Sequence, residues 1–261
     1  IDHAALSQSQ IPWAHRARIG RFRAYRKTVW MVFRHPKKVA ADSSRPVSLE
    51  DARKFRRVTV ILTFLPLFGT GVWGYAAWLL EWLRPQRGSS VHAAVGGSAL
   101  GWVLEGVGVA FAAACLLMFL FAATGVASYF FHPRGTSMVR QNRAVPLSYY
   151  ACAPLAWTTI PVVLFACAML IALSEVAVGQ EIFRLIIFLE TLAFLAAGVI
   201  VAGWWRCSVV LLREALRCSV TRVAALGLTL PISWAMLGLL TLGVLPAVYL
   251  FFSIVILSLR H

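Results

Sequence analysis

The sequence predicts an all-α fold: a polytopic transmembrane helical bundle with five spans (six is the alternative) and amphipathic helices on its cytoplasmic side. Of its 261 residues, 60% are hydrophobic and 13% are charged, whereas a soluble domain has about 45–50% apolar and about 25% charged residues. The chain nevertheless has a net charge of +15, from 25 Lys and Arg against 10 Asp and Glu. An apolar chain with this basic excess is typical of a membrane protein, and the composition excludes a soluble enzyme.

The spans are predicted from the length of the apolar runs, because a helix needs about 20 apolar residues to cross the bilayer core. Five runs meet this length, and they cover residues 58–80, 100–131, 149–173, 182–205 and 223–259. The last run is too long for one simple span and contains Pro231 and Pro246. Since proline kinks or breaks a helix, this run is either one kinked span or two short helices. The first alternative gives five spans in total, and the second gives six.

The distribution of basic residues predicts the topology. Of the 25 basic residues, 14 lie in segment 1–57, 3 in segment 132–148 and 4 in segment 206–222. The positive-inside rule therefore puts the N-terminus in the cytoplasm. We expect a cytoplasmic basic segment with an interfacial helix over 1–57 and a transmembrane domain over 58–261. Aromatic residues near the span ends predict an interfacial belt: Tyr149, Tyr150, Trp204 and Trp205.

Residues 18–34 form the pattern of a basic amphipathic helix. Apolar side chains recur at three- and four-residue steps on one face, at Phe22, Tyr25, Val29, Val32 and Phe33. Basic residues cover much of the remainder, at Arg18, Arg21, Arg23, Arg26, Lys27 and Arg34. Such a helix lies in the headgroup layer and binds anionic lipid headgroups, although a partner-docking platform is the alternative. We expect it to end at His35, because Pro36 disfavours a helical conformation of the residue before it.

Two more helices are predicted on the same side. Ser48 with Asp51 three residues later resembles a capping box, which places a helix start at Ser48 and leads into the first span. Segment 206–222 carries apolar and basic residues on different faces, so we expect a second interfacial helix there. The polar, basic N-terminus has no early apolar run, so no signal peptide is expected. Since the sequence begins at Ile1 rather than Met, an upstream domain is left open.

Residues that could carry chemistry are few. Glu105 and Glu190 are the acidic residues inside the predicted spans, and such residues are functional candidates because they are costly in the membrane. They could form a proton- or cation-coupled site, or each could be hydrogen-bonded between helices or lie near an interface. The sequence contains no motif of a hydrolase, a phosphate-binding loop or a metal site, so we expect no catalytic residues, cofactor or metal. The basic excess is accounted for by topology and gives no reason to expect nucleic acid binding.

Taken in order, three segments resemble the YIP (Ypt-interacting protein) family of five-span membrane proteins, particularly its bacterial members. They are RHPK at 34–37, YYACAP at 149–154 followed by Ile160-Pro161, and the stretch from Trp205 to Ala224. The resemblance covers about residues 20–255, and the long last run departs from the family pattern. It implies a bacterial cytoplasmic-membrane protein. Eukaryotic members bind Rab-type GTPases in vesicle traffic, whereas bacterial members have no settled activity, so GTPase binding is not carried over.

The function predicted from these features is that of a scaffold or accessory subunit of a membrane complex, without catalysis. Gly106, Ala110 and Ala114 recur at four-residue spacing, which suits close packing between helices. The expected partners are the lipid bilayer and another membrane protein or a second copy of the chain. The alternative is a transporter or channel that uses Glu105 or Glu190.

Overall fold

The computed structural model describes residues 9–42, 47–83, 99–130, 138–173, 180–216 and 219–258. This part of the chain is almost wholly helical and contains no strand. The predicted all-α class is therefore confirmed.

The N-terminal segment folds into short helices rather than one long helix. A 3₁₀ turn (Pro12–His15) is followed by α1 (Arg16–Ile19), α2 (Arg21–Arg34) and α3 (Pro36–Ala41). The predicted helix over 18–34 is broken at Gly20, whose φ is 87°, a conformation that glycine adopts without a steric penalty. The predicted end at His35 is confirmed. Pro36 occupies the first turn of α3, where a missing N–H has no consequence.

The remaining helices are long. They are α4 (Leu49–Leu83), α5 (Ala99–Phe130), α6 (Met138–Tyr150), α7 (Thr159–Leu173), α8 (Gln180–Leu216) and α9 (Val220–Ser258), with a 3₁₀ helix (Ala153–Thr158) between α6 and α7. Within the described residues, five segments are long and apolar enough to cross a membrane: Leu49–Trp73, Gly108–Ser128, Ala144–Ala172, Ile182–Ala215 and Val223–Thr241. The predicted five spans are confirmed, since α9 continues through Pro231 and Pro246 as one helix.

The two predicted helix starts in the basic segments have different outcomes. The backbone N–H of Asp51 donates a hydrogen bond to Ser48 Oγ at 3.3 Å, so the predicted cap at the start of α4 is confirmed. The prediction of a separate interfacial helix over 206–222 is wrong, because α8 runs without a break to Leu216. The final turns of α8 contact protein, since Leu211 and Leu212 are buried where α8 packs against α3.

The hydrophobic core lies at one end of the bundle. It combines the N-terminal helices, the first turns of α4 and α6. The last turns of α5, the last turns of α8 and the first half of α9 complete it. In the most apolar stretch of each span, by contrast, only 11% to 22% of the residues are buried within the chain. Each span therefore leaves most of its apolar surface available to lipid or to another protein. The end that holds the core is called the basic end below, because α2, α3 and the start of α4 bring their Arg and Lys residues there.

Candidate functional site

The apolar face of α2 packs against protein. Tyr25, Val29 and Val32 are buried in the core, and α2 lies against the 3₁₀ helix and α8. The Tyr25 hydroxyl donates a hydrogen bond to Thr59 Oγ1 at 3.1 Å, and burial raises the pKa of this phenol. The sequence pattern predicts that this face lies in the lipid headgroup layer. In the structure the face packs against the apolar surface of the bundle instead. Phe22, on the same helix, remains 75% exposed.

The basic side of α1 and α2 faces outward. All six residues predicted to meet lipid or a partner are exposed: Arg18, Arg21, Arg23, Arg26, Lys27 and Arg34. The Arg34 guanidinium lies 5.5 Å from the ring centre of Trp30, which is within the range of a cation–π contact. The arrangement leaves a basic surface on the outside of the N-terminal segment, and its binding of anionic headgroups stays a prediction.

The N-terminal segment is tied to α4 by polar contacts around Asp51. Arg16 forms a salt bridge with the Asp51 carboxylate at 2.6 Å. The Trp13 indole donates a hydrogen bond to the Asp51 carbonyl at 2.8 Å, and the Trp13 backbone N–H donates to Thr28 Oγ1 at 2.8 Å. Around them, Phe55 packs its ring against Trp13 at 5.7 Å between centroids. These contacts fix the N-terminal helices (Pro12 to Ala41) to the basic end of the bundle, and this segment is called the N-terminal cap below.

The structure does not bring the two intramembrane carboxylates into a site. Glu190 is half-buried on α8, and none of the salt bridges among the described residues involves it. Glu105 lies on α5, but its side chain is outside the described residues. A coupled site formed by these two residues therefore stays a prediction.

Arg56 joins three helices at the basic end, and sequence reasoning missed it. Its Nε donates a hydrogen bond to Thr124 Oγ1 on α5 at 3.0 Å, and its Nη2 donates to the Phe121 carbonyl. Its guanidinium also lies 5.1 Å from the ring centre of Tyr149 on α6. In the sequence, Arg56 stands two residues before an apolar run. An arginine at this place is equally typical of an unpaired side chain at the membrane interface, so the sequence did not indicate its contacts.

The backbone of α5 makes room for this arginine. A Cβ placed on Gly125 would lie 2.9 Å from Arg56 Nη2, which is too close for a carbon and a nitrogen that do not share a bond. The guanidinium therefore rests on α5 where a glycine exposes the backbone. A methyl group at this position would require the end of the Arg56 side chain to shift.

An open pocket of about 240 Å³ lies beside Arg56. Arg53, Arg56, Arg57, Phe121 and Tyr149 line it. Arg53 and Arg57 are exposed, whereas Arg56 is half-buried. Chemically, a pocket lined by three arginines suits an anion.

No carboxylate neutralises this pocket among the described residues. The ion pairs of that part of the chain join Arg16 to Asp51 and Lys54 to Glu50, so both acidic residues at the start of α4 already have other partners. Within the same ranges, the three lining arginines form no ion pair. In those residues, too, no group of three His, Cys, Asp or Glu is placed to hold a metal ion.

Two residues expected in an interfacial aromatic belt are buried instead. Trp204 stacks on Trp234 with ring centres 3.9 Å apart, and the Trp234 indole donates a hydrogen bond to the Ala123 carbonyl at 3.2 Å. Tyr150 is buried against Phe55. The belt prediction is wrong for Trp204 and Tyr150, because side chains of neighbouring helices, Trp234 on α9 and Phe55 on α4, cover these positions.

Comparisons with protein-family models, curated proteins and solved structures find no match to this chain. The resemblance to the YIP family therefore stays a prediction.

Proposed function

We propose that this integral membrane protein is a scaffold or accessory subunit without catalysis, whose spans pack against another membrane chain. The observation that carries the proposal is a stripe of mainly small residues on α5 that the described part of the chain leaves exposed. Ala110, Ala114 and Ala122 recur along one side of the helix and are exposed, with Met118 between them. Small residues at four-residue spacing allow helix backbones to approach closely within a membrane.

The contrast with α8 supports this choice of face. The exposed side of α8 carries large apolar residues, including Phe188, Phe194 and Leu195. Large side chains of this kind suit contact with lipid tails, whereas the α5 stripe consists of three alanines and one large residue, Met118. The α5 stripe is therefore the better surface for a second protein, either another subunit or another copy of the chain.

We further infer that the protein lies in a bacterial cytoplasmic membrane with its N-terminus in the cytoplasm. The concentration of basic residues on one side of the spans supports this orientation. The capped basic end is then the cytoplasmic end, and the cap is a surface available to cytoplasmic partners.

The experiment compares two tryptophan substitutions in protein purified from its native membrane in a mild detergent. Ala114→Trp puts a bulky ring in the stripe, and Leu195→Trp is the matched control on α8, where the residue is 62% exposed. Native mass spectrometry measures the mass of the assembly. We expect the wild type and Leu195→Trp to carry a bound protein chain and Ala114→Trp to lose it.

Two results would count against the proposal. One is a wild-type protein that is monomeric without a bound chain, and the other is an assembly that Ala114→Trp leaves intact. Circular dichroism during heating checks that both variants remain folded. If Ala114→Trp unfolds, Ala110→Trp repeats the test one turn earlier on the same face.

The transporter alternative needs Glu105 or Glu190 in a site that moves ions. No contact among the described residues favours it over the scaffold, and a measurement of pH-dependent flux tests it separately.

A further inference from the structure

We propose that the pocket lined by Arg53, Arg56, Arg57, Phe121 and Tyr149 binds the phosphate group of an anionic phospholipid. This site is separate from the basic surface of α2, and it does not depend on the scaffold function. The ligand chemistry is a phosphate group, which a lipid headgroup or free inorganic phosphate could supply. We assign the lipid as the source.

The charge of the pocket points to an anion. Three arginines line a pocket of about 240 Å³, and none of them has a carboxylate partner among the described residues. Guanidinium is planar and presents its N–H donors as a fork, which matches the oxygen atoms of a phosphate group. An anion in this position would offset the mutual repulsion of the three positive charges.

The central arginine is already held in place. Two of the five N–H donors of Arg56 are used in bonds to Thr124 Oγ1 and to the Phe121 carbonyl. The guanidinium lies 5.7 Å from the ring centre of Phe121 and 5.1 Å from that of Tyr149. Because its position is fixed before any ligand arrives, less entropy is lost on binding than for a free arginine. Arg53 and Arg57 are exposed and can close on the ligand from the outside.

The size of the pocket favours a small charged group. Pockets for drug-sized ligands have volumes of about 300–1,000 Å³, and this one has about 240 Å³. A phosphate group with part of its headgroup fits this volume better than a complete nucleotide does.

The place of the pocket in the fold favours a lipid. Arg56 and Arg57 directly precede Val58, where the first long apolar run of the sequence begins. Basic residues at this position lie at the level of lipid headgroups when the helix spans a bilayer. The pocket is open to the outside, so a lipid could place its phosphate among the arginines while its acyl chains remain in the bilayer.

The test measures lipid binding by the purified full chain. Native mass spectrometry of the protein in detergent counts bound lipid during titration with phosphatidylglycerol, and phosphatidylcholine is the zwitterionic comparison. A second arm titrates inorganic phosphate and follows both thermal stability and displacement of phosphatidylglycerol. The variant is Arg53→Gln with Arg57→Gln. The matched control is Arg206→Gln with Arg213→Gln, which removes the same charge from exposed arginines of α8.

We expect the wild type and the α8 control to bind one phosphatidylglycerol in preference to phosphatidylcholine. The pocket variant should bind it about 30-fold more weakly, which corresponds to about 2 kcal/mol for two basic residues beside an anionic headgroup. Arg57→Lys keeps the charge but loses the fork, so its affinity should lie between those of the wild type and the pocket variant.

Three results would overturn the proposal. Equal losses in the pocket variant and the α8 control would mean that only total charge matters. Equal binding of phosphatidylcholine would mean that the anionic headgroup is not recognised. Inorganic phosphate that stabilises the wild type but not the pocket variant, together with no preferential binding of phosphatidylglycerol, would exclude the lipid as the source. Because none of these measurements involves a partner protein, their failure is distinguishable from failure of the scaffold proposal.

Discussion

Replacing Phe55 by alanine should release the N-terminal cap from the bundle. Phe55 is fully buried, and its ring centre lies 5.7 Å from that of Trp13, 5.3 Å from that of Tyr25 and 4.9 Å from that of Tyr150. It is therefore the ring on which the 3₁₀ turn, α2, α4 and α6 meet. Removing a buried phenylalanine side chain costs about 3–5 kcal/mol.

Only the part of this cost that comes from the contacts with Trp13 and Tyr25 applies to opening of the cap, because the contact with Tyr150 lies within the bundle. Since each 1.36 kcal/mol is a factor of ten, the population of open cap should rise by up to nearly four orders of magnitude. Limited trypsin digestion detects this opening, because α1 to α3 contain many Arg and Lys residues. When opening and closing are fast compared with cleavage, the rate of cleavage follows the open population.

The assay compares Phe55→Ala with Phe22→Ala in the same detergent or nanodisc preparation. Phe22 is on the cap but 75% exposed, so its removal should change stability by less than about 0.5 kcal/mol. We expect rapid cleavage within residues 16–38 only in Phe55→Ala, with the spans intact. Equal cleavage rates in the two variants would refute the reasoning that the cap is held by this aromatic cluster.

Three more predictions concern single side chains. Gly125→Ala should shift the Arg56 guanidinium within the arginine pocket and weaken phosphatidylglycerol binding, whereas Gly198→Ala, which meets no atom within 4 Å, should not; equal affinities would contradict the assigned contact. Trp234→Phe removes the indole donor to α5 and leaves a smaller ring against Trp204, so a decrease of at least about 1 kcal/mol in the free energy of unfolding is expected, and no decrease would mean that neither the bond nor the larger ring contributes. If the transporter alternative holds, Glu105→Gln and Glu190→Gln each abolish pH-dependent flux into liposomes; normal flux in both removes these residues from any coupled site.

The number and approximate places of the spans could be read from the sequence, because hydropathy is a local property. A helix that must bury its own backbone bonds in lipid needs a long apolar run whatever its neighbours are. The end of α2 before Pro36 and the Ser48 cap of α4 were predictable for the same reason. Each depends on the chemistry of residues adjacent in the chain.

Residues at the ends of spans were harder to interpret. Trp204 and Tyr150 stand where an aromatic belt is expected, but the fold buries both. The apolar face of α2 has the spacing of a lipid-facing surface, yet Tyr25 and Val29 pack on the bundle. An amphipathic pattern predicts that one face of the helix is buried away from water. It does not distinguish between lipid and protein as the surface that buries this face.

The candidate anion site also depends partly on local sequence and partly on contacts between distant residues. The sequence by itself determined the helical class, the five apolar spans and the concentration of basic residues near Arg53 to Arg57. Only the tertiary structure decided that Arg56 is fixed against Thr124 and beside Tyr149, which lie far away along the chain. The physical reason is range: spans and caps follow from interactions within one helix, whereas a pocket exists only where side chains of several helices meet.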